Sequence, residues 1–151
     1  MINNQLPRWE QLPDIDLYLD QVLLYVNQNT LLTENTDQKN LTASMVNNYV
    51  KHAYMEKPIK KRYSKHQIAR LIAIAVLKNT FPIQEISKVL NNLQKQLSSE
   101  TLYNIFVSYW NDGQKADTPE IIINACKTVK YYQKTFDLIN QYMEENNESN
   151  F

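Results

Sequence analysis

The fold is decided by residues 41–90, which read LTASMVNNYVKHAYMEKPIKKRYSKHQIARLIAIAVLKNTFPIQEISKVL. Apolar side chains recur at spacings of three and four residues on both sides of the basic segment 57–65, as they do in amphipathic helices. The basic segment contains Pro58 and reads as a short strand-like connector. The block therefore predicts helices joined by one basic connector.

The same periodicity extends outward to both ends of the chain. Helices are predicted at 14–27, 42–52, 64–79, 82–93, 98–113 and 118–145. Asp14, Asp16 and Asp20 would occupy the first turn of the first helix, where the helix dipole favours carboxylates. The mostly polar residues 31–40 read as a loop. The expected fold class is all-α, with a helical domain over residues 1–113 and a long amphipathic helix over residues 118–145.

The composition excludes several classes of protein. The chain has 151 residues, one glycine at position 113 and one cysteine at position 126. Glycine-rich phosphate loops and hairpins turned by Asn-Gly or Asp-Gly therefore cannot occur before Gly113. A single cysteine forms no internal disulfide, and no apolar stretch approaches the roughly 20 residues that cross a bilayer. The sequence predicts a cytoplasmic protein without a membrane span.

The net charge of zero hides a strong asymmetry along the chain. Residues 39–80 contain nine basic residues against one acidic residue, Glu56, which is a net charge of +8. The rest of the chain therefore carries −8. A concentrated positive segment in an otherwise acidic protein is typical of a surface that meets a polyanion. The alternative is a solvated helix face, which is the usual role of a run of charges.

No catalytic or metal-binding constellation is visible in the sequence. His52, His66 and Cys126 are the only histidines and cysteine, and they cannot complete a tetrahedral metal site without several carboxylates. Cys126 has no nearby histidine along the chain and reads as a buried apolar thiol. We therefore expect a protein that is not an enzyme, has no cofactor and has no evident small-molecule ligand.

The helix at 42–52 has the size and polar face of a helix that reads DNA. Asparagine can bond the N6 and N7 atoms of adenine, and a helix fits the major groove, which is about 12 Å wide. The expected contacts to base edges are Ser44, Asn47, Asn48 and Lys51. The expected contacts to phosphates are Lys57, Lys60, Lys61, Arg62, Tyr63 and Lys65.

The block resembles the DNA-binding domain of MerR-type transcriptional regulators in its layout. A short helix ending in tyrosine precedes a basic connector, then Tyr63-Ser64 and Gln84-Glu85-Ile86 each open a helix. The segments LPRW (6–9), LPDIDLY (12–18), MVNNYVK (45–51) and KRYS (61–64) look like the bacterial family called domain of unknown function 1836. The resemblance implies a reduced winged helix-turn-helix fold. Because the connector contains no glycine, we expect a basic strap instead of a full hairpin.

The last helix offers two interpretations. A seven-residue repeat persists over three heptads, which predicts a seam of Ile122, Ala125, Val129, Tyr132, Phe136, Ile139 and Met143. The same stripe equally fits packing on the core of its own domain. The first interpretation leads to a homodimer that binds duplex DNA and regulates transcription. The alternative function is a helical adaptor that binds a protein partner and no DNA.

Overall fold

The computed structural model describes residues 5–31, 40–113 and 116–149. Its elements, in chain order, are β1 (Leu17–Tyr18), α1 (Leu19–Asn29), α2 (Ala43–Lys51), β2 (Arg62–Tyr63), α3 (Lys65–Leu77), α4 (Ile83–Leu93), α5 (Ser99–Asp112) and α6 (Glu120–Ser149). A short 3-10 turn at Trp9–Gln11 precedes them. Most of the predicted loop at 31–40 lies outside the described residues. Among the described residues, every helix is too short or too polar to span a lipid bilayer.

The expectation of an all-α fold needs correction. Strands β1 and β2 form a two-stranded antiparallel sheet, in which Leu17 pairs with Tyr63 and Tyr18 with Arg62. The first helix therefore begins at Leu19, so that Asp14 and Asp16 precede it. The Tyr18 backbone N–H donates to the Gln21 side chain at 2.9 Å, which caps the helix at this point.

Helix α3 occupies the centre of the molecule. It packs against α1, α4, α5 and α6. Its apolar residues are buried around the whole helix and include Ile68, Leu71, Ile72, Ile74 and Val76. A helix that is apolar on all sides is stable only when other elements surround it. The nearly continuous apolar run that follows Ser64 is therefore the reason that the other helices assemble here.

Helices α2 and α5 have caps formed by neighbouring residues. The Thr42 hydroxyl accepts from the Met45 backbone N–H at 3.2 Å, and the Ser98 hydroxyl accepts from that of Thr101 at 3.1 Å. Gly113 ends α5 with a left-handed φ of 68°, a conformation that glycine adopts without strain. The helices predicted at 42–52 and 98–113 are thus confirmed.

Asn27 joins the end of α1 to the start of α2. Its side-chain amide donates to the Leu41 carbonyl at 2.9 Å, and its side-chain oxygen accepts from the Leu41 N–H at 2.8 Å. This reciprocal pair satisfies both backbone groups of a buried residue. Helices α1 and α2 are thus held together although the chain between them is much longer than a tight turn.

Helix α6 has two halves with different surroundings. Ile122, Cys126 and Val129 in its first half are buried against the core. Burial raises the pKa of the Cys126 thiol to about 12, so this thiol stays protonated at neutral pH. The second half, from residue 131, exposes apolar side chains to solvent: Tyr131, Tyr132, Leu138, Ile139, Tyr142 and Met143. The predicted seam is therefore divided, and its members Ile122 and Val129 belong to the domain's own core.

Candidate nucleic-acid interface

Helix α2 presents one polar face to solvent. Val46 and Tyr49 are buried on its inner side. The four residues predicted to contact bases are all exposed: Ser44, Asn47, Asn48 and Lys51. Within the described residues, none of these four side chains makes a hydrogen bond or an ion pair. Their donors and acceptors are thus available to a partner.

A hairpin stands where the sequence suggested only a strap. Ile59 and Arg62 exchange both backbone hydrogen bonds at 3.0 Å, and Lys60 and Lys61 form the two-residue turn between them. Both lysines have positive φ, 50° and 66°, as a type I′ hairpin turn requires. The expected strap is therefore folded back by one isolated bridge, because both lysines take the turn conformation that usually selects asparagine and glycine.

This turn stores backbone strain. A left-handed conformation costs a residue with a side chain roughly 1–2 kcal/mol. Strained backbone persists only where the surrounding structure holds it, and it clusters at functional positions. The turn places two adjacent cationic side chains, Lys60 and Lys61, at the tip of the hairpin, and both are exposed. They make no ion pair with the described residues.

Gln67 holds the base of the hairpin. Its side chain is 5% exposed, and its amide donates to the backbone carbonyls of Glu56 and Lys57 at 3.2 and 2.9 Å. Its side-chain oxygen accepts from the Ser64 N–H at 2.8 Å, at the start of α3. One buried side chain therefore fixes the segment before the hairpin to the helix after it.

Two of the predicted phosphate contacts are already engaged. The Arg62 guanidinium donates to the Tyr18 hydroxyl at 3.0 Å and lies over the Tyr18 ring, 5.0 Å from its centroid. This hydrogen bond raises the pKa of Arg62, with a smaller contribution from Asp16. The Lys65 ammonium pairs with Asp14 at 3.1 Å. Acidic residues therefore border this part of the basic surface, whereas Lys57, Lys60 and Lys61 are exposed and unpaired among the described residues.

The prediction for Tyr63 is wrong. Its side chain is 2% exposed and belongs to the core, and burial raises its pKa. Side chains alternate between the two faces of a strand, so the exposed Arg62 places Tyr63 on the buried face. A phosphate cannot reach the Tyr63 ring from outside.

Arg70 is a second positioning residue that the sequence reasoning missed. Its Nε–H donates to the Tyr54 carbonyl at 2.9 Å, in the segment that links α2 to the hairpin. Its guanidinium also donates to Ser87, Asn91 and Gln94 along α4. An arginine that interrupts an apolar run is the one signal of this role in the sequence, because an unpaired charge there would be costly.

Both histidines are exposed near the basic segment. Within the described residues, no group of three or more histidine, cysteine, aspartate or glutamate side chains is arranged to hold a metal ion. His66 lies 3.1 Å from Glu56 and forms an ion pair when protonated. It thus belongs to the surface around the hairpin.

Comparison with known proteins places the chain in a family. The model of the family described as Domain of unknown function (DUF1836) matches residues 7–107. The chain belongs to this family. The match spans β1 through most of α5 and includes the exposed face of α2 and the hairpin of the DUF1836 domain. No curated protein and no solved structure matches the chain.

Proposed function

We propose that this DUF1836 protein binds duplex DNA through the exposed face of α2 and the hairpin at Ile59–Arg62, and regulates transcription. The observation that carries the proposal is the hairpin tip, where two adjacent lysines hold a strained turn and have no partner among the described residues. Unpaired cations close to each other attract a polyanion because each neutralised phosphate releases a counterion. Lys57 adds a third exposed cation just before the hairpin.

The order of elements supports this proposal. A strand, two helices in contact, a basic hairpin and a further helix follow one another, as expected for a reduced, MerR-like winged helix-turn-helix domain. In such a domain α2 enters the major groove and its N-terminal residues read base edges, while the hairpin contacts the backbone. Asn47 and Asn48 would then confer sequence preference, and Lys57, Lys60 and Lys61 would fix the register.

Selection of duplexes from a random pool tests the base contacts. We expect the parent protein to enrich a sequence motif, because asparagine discriminates adenine by about 1–3 kcal/mol for each bidentate contact. Asn47→Ala/Asn48→Ala should bind the unselected pool as well as the parent but enrich no motif, since phosphate contacts carry no sequence information. Gln28→Ala on the exposed side of α1 serves as the control. An unchanged motif in the double variant would contradict the assignment of α2.

We further propose that two copies pair through the second half of α6. Its exposed apolar side chains form one wide stripe, which no described residue covers. Tyr132, Ile139 and Met143 occupy the a and d positions of the seven-residue repeat, which is the pattern through which two helices pair. A two-fold dimer would bind two half-sites about 34 Å apart.

Sedimentation velocity over a range of concentrations tests the dimer. We expect Ile139→Asp/Met143→Asp to be monomeric where the parent is a dimer, because these side chains are 49% and 52% exposed and would be buried by pairing. Gln133→Asp/Gln141→Asp adds the same charge to the opposite side of the helix and should leave the dimer intact. A parent that sediments as a monomer at every concentration would exclude this interface.

The second candidate function is a helical adaptor without DNA binding. The exposed apolar stripe on α6 favours it, because a protein partner could cover the same side chains that we assign to a second copy. An adaptor would retain its partner after nuclease treatment of a lysate. The two candidates are distinguished by whether purified protein binds purified duplex.

A further inference from the structure

A cavity of about 300 Å³ lies between α3, α4, α5 and the start of α6. Its wall is almost wholly apolar and includes Leu77, Leu90, Phe106 and Ile122. Because a liquid water occupies about 30 Å³, the space corresponds to about ten non-hydrogen atoms. This volume lies at the lower end of the range for small-molecule sites.

Small side chains create this space. Ala69 and Ala73 of α3 and Ala125 of α6 line it, at positions where a longer apolar side chain would fill the gap. The space is half open to solvent, so its apolar wall meets water when nothing is bound, and covering apolar surface is favourable. A cavity of this size is therefore more favourable when it holds an apolar occupant.

One polar group of fixed orientation meets the cavity wall. Arg70 lines the cavity, and its guanidinium donates only to neutral acceptors: Tyr54, Ser87, Asn91 and Gln94. Within the described residues no carboxylate forms an ion pair with it. Burial lowers the pKa of Arg70, partly offset by the more distant Glu56. The positive charge is thus held by the fold without a counter-charge in contact.

The other titratable side chains at the cavity already have partners. Glu85 is exposed and pairs with Lys88 at 3.4 Å, and His66 is exposed and lies 3.1 Å from Glu56. Gln94 donates to the Ser99 hydroxyl at 2.9 Å, and both of these side chains line the cavity beside Arg70. Arg70 is therefore the one charged side chain of the described lining that has no counter-charge in contact.

We propose that this cavity binds a small apolar monocarboxylate of about ten non-hydrogen atoms, with its carboxylate at Arg70 and its apolar body against α3, α5 and α6. Charge complementarity selects the anion: four of the five N–H donors of Arg70 are held by protein acceptors, and the fifth, on Nη1, can donate a charge-assisted hydrogen bond to the carboxylate. The apolar wall selects a body without further polar groups, because each unpaired polar group would lose its hydrogen bonds to water. A medium-chain fatty acid and a compact aromatic acid share this chemistry.

Isothermal titration calorimetry with octanoate, which has ten non-hydrogen atoms, tests the proposal on the full chain. We expect a dissociation constant on the order of 100 µM, as typical contributions per atom give for a ligand of this size. The neutral 1-octanol should bind at least 10-fold more weakly, and so should octanoate to Arg70→Gln. Lys127→Gln removes an exposed cation of α6 that does not line the cavity and should bind octanoate as the parent does. Ala73→Leu shortens the cavity and should lose octanoate while keeping its helical content.

Several results would overturn the proposal. Absence of octanoate binding to the parent at millimolar concentration excludes the site, and equal binding of 1-octanol excludes the role of Arg70. If benzoate binds and octanoate does not, the carboxylate still lies at Arg70, but the ligand is a compact aromatic acid and not a medium-chain fatty acid. If Ala73→Leu binds octanoate as the parent does but no longer self-associates, a second copy of the chain covers this cavity. The proposed ligand is then wrong.

Discussion

Lys60→Asn/Lys61→Gly is expected to fold more stably than the parent and yet to bind duplex DNA on the order of 100-fold more weakly at 50 mM salt. The loss of affinity follows from two fewer neutralised phosphates, each of which changes the salt slope by about 0.9. Fluorescence anisotropy of a labelled mixed-sequence duplex measures it. Because stability rises while the affinity for DNA falls, unfolding cannot explain the loss of affinity.

The gain in stability has its origin in the turn. Lys60 and Lys61 both hold positive φ, which asparagine tolerates and glycine adopts freely. We expect the free energy of unfolding to rise by about 1 kcal/mol, after the greater flexibility of glycine in the unfolded chain is counted. For a chain of this length the midpoint of thermal unfolding should rise by about 3 °C.

Lys88→Asn/Lys95→Asn is the matched control for charge. Both lysines are exposed, one in α4 and one just after it, so the double variant has the same net charge as the hairpin variant. It should keep the affinity of the parent to within a few-fold. If both double variants lose affinity equally, binding depends on net charge and the hairpin has no special role. If the hairpin variant binds as the parent does, the phosphate contacts lie elsewhere.

Gln67→Leu is expected to lower the free energy of unfolding by about 3 kcal/mol. Leucine fits the volume but leaves the carbonyls of Glu56 and Lys57 and the N–H of Ser64 without their partner. Each partly buried group left unsatisfied costs about 1–3 kcal/mol. Urea unfolding followed by circular dichroism measures the change, and the midpoint should shift without a large change in slope.

Gln28→Leu is the control for this substitution. Gln28 is exposed on α1, so the same replacement there should change stability by no more than about 0.5 kcal/mol. A Gln67→Leu variant as stable as the parent would show that the hairpin base is held by other contacts. Gln67→Glu should also be destabilised, because a carboxylate cannot donate to the two carbonyls.

The helices could be predicted because each is encoded locally. Thr42, Ser98 and Gly113 stand where the chain enters or leaves a helix, and each satisfies backbone groups by a short-range hydrogen bond or conformation. Periodic apolar residues then identify the buried face. The start of α1 was predicted too early because Asp14 and Asp16 resemble a first helical turn, whereas pairing of Leu17 with Tyr63 across the chain makes this segment a strand.

The candidate site could be predicted only in part, because its geometry depends on contacts between distant segments. Exposure of Asn47 and Asn48 follows from the helical period of α2. The Lys60-Lys61 turn cannot be predicted from local sequence, because the usual glycine is missing and the hairpin is held by Gln67. The burial of Tyr63 likewise depends on pairing with β1, which local spacing does not encode.

Helix α6 shows the same limit. Its heptad pattern is real, but Val129 faces the core of its own domain while Ile139 faces solvent. The pattern is continuous, whereas the partner changes halfway along the helix, where the globular part of the molecule ends. The seven-residue repeat therefore predicts one continuous seam, although its first half packs on the domain's own core and its second half is exposed.

Binding of a mixed-sequence duplex to the parent protein between 50 and 200 mM salt tests the central claim most directly. If each protomer neutralises about four phosphates, the logarithm of the binding constant should fall with a slope near −3.6 for each protomer bound, and affinity should fall on the order of 100-fold. The Lys60→Asn/Lys61→Gly variant should show a slope near −1.8. Absence of duplex binding by the parent at 50 mM salt would contradict the account and leave the adaptor as the function to pursue.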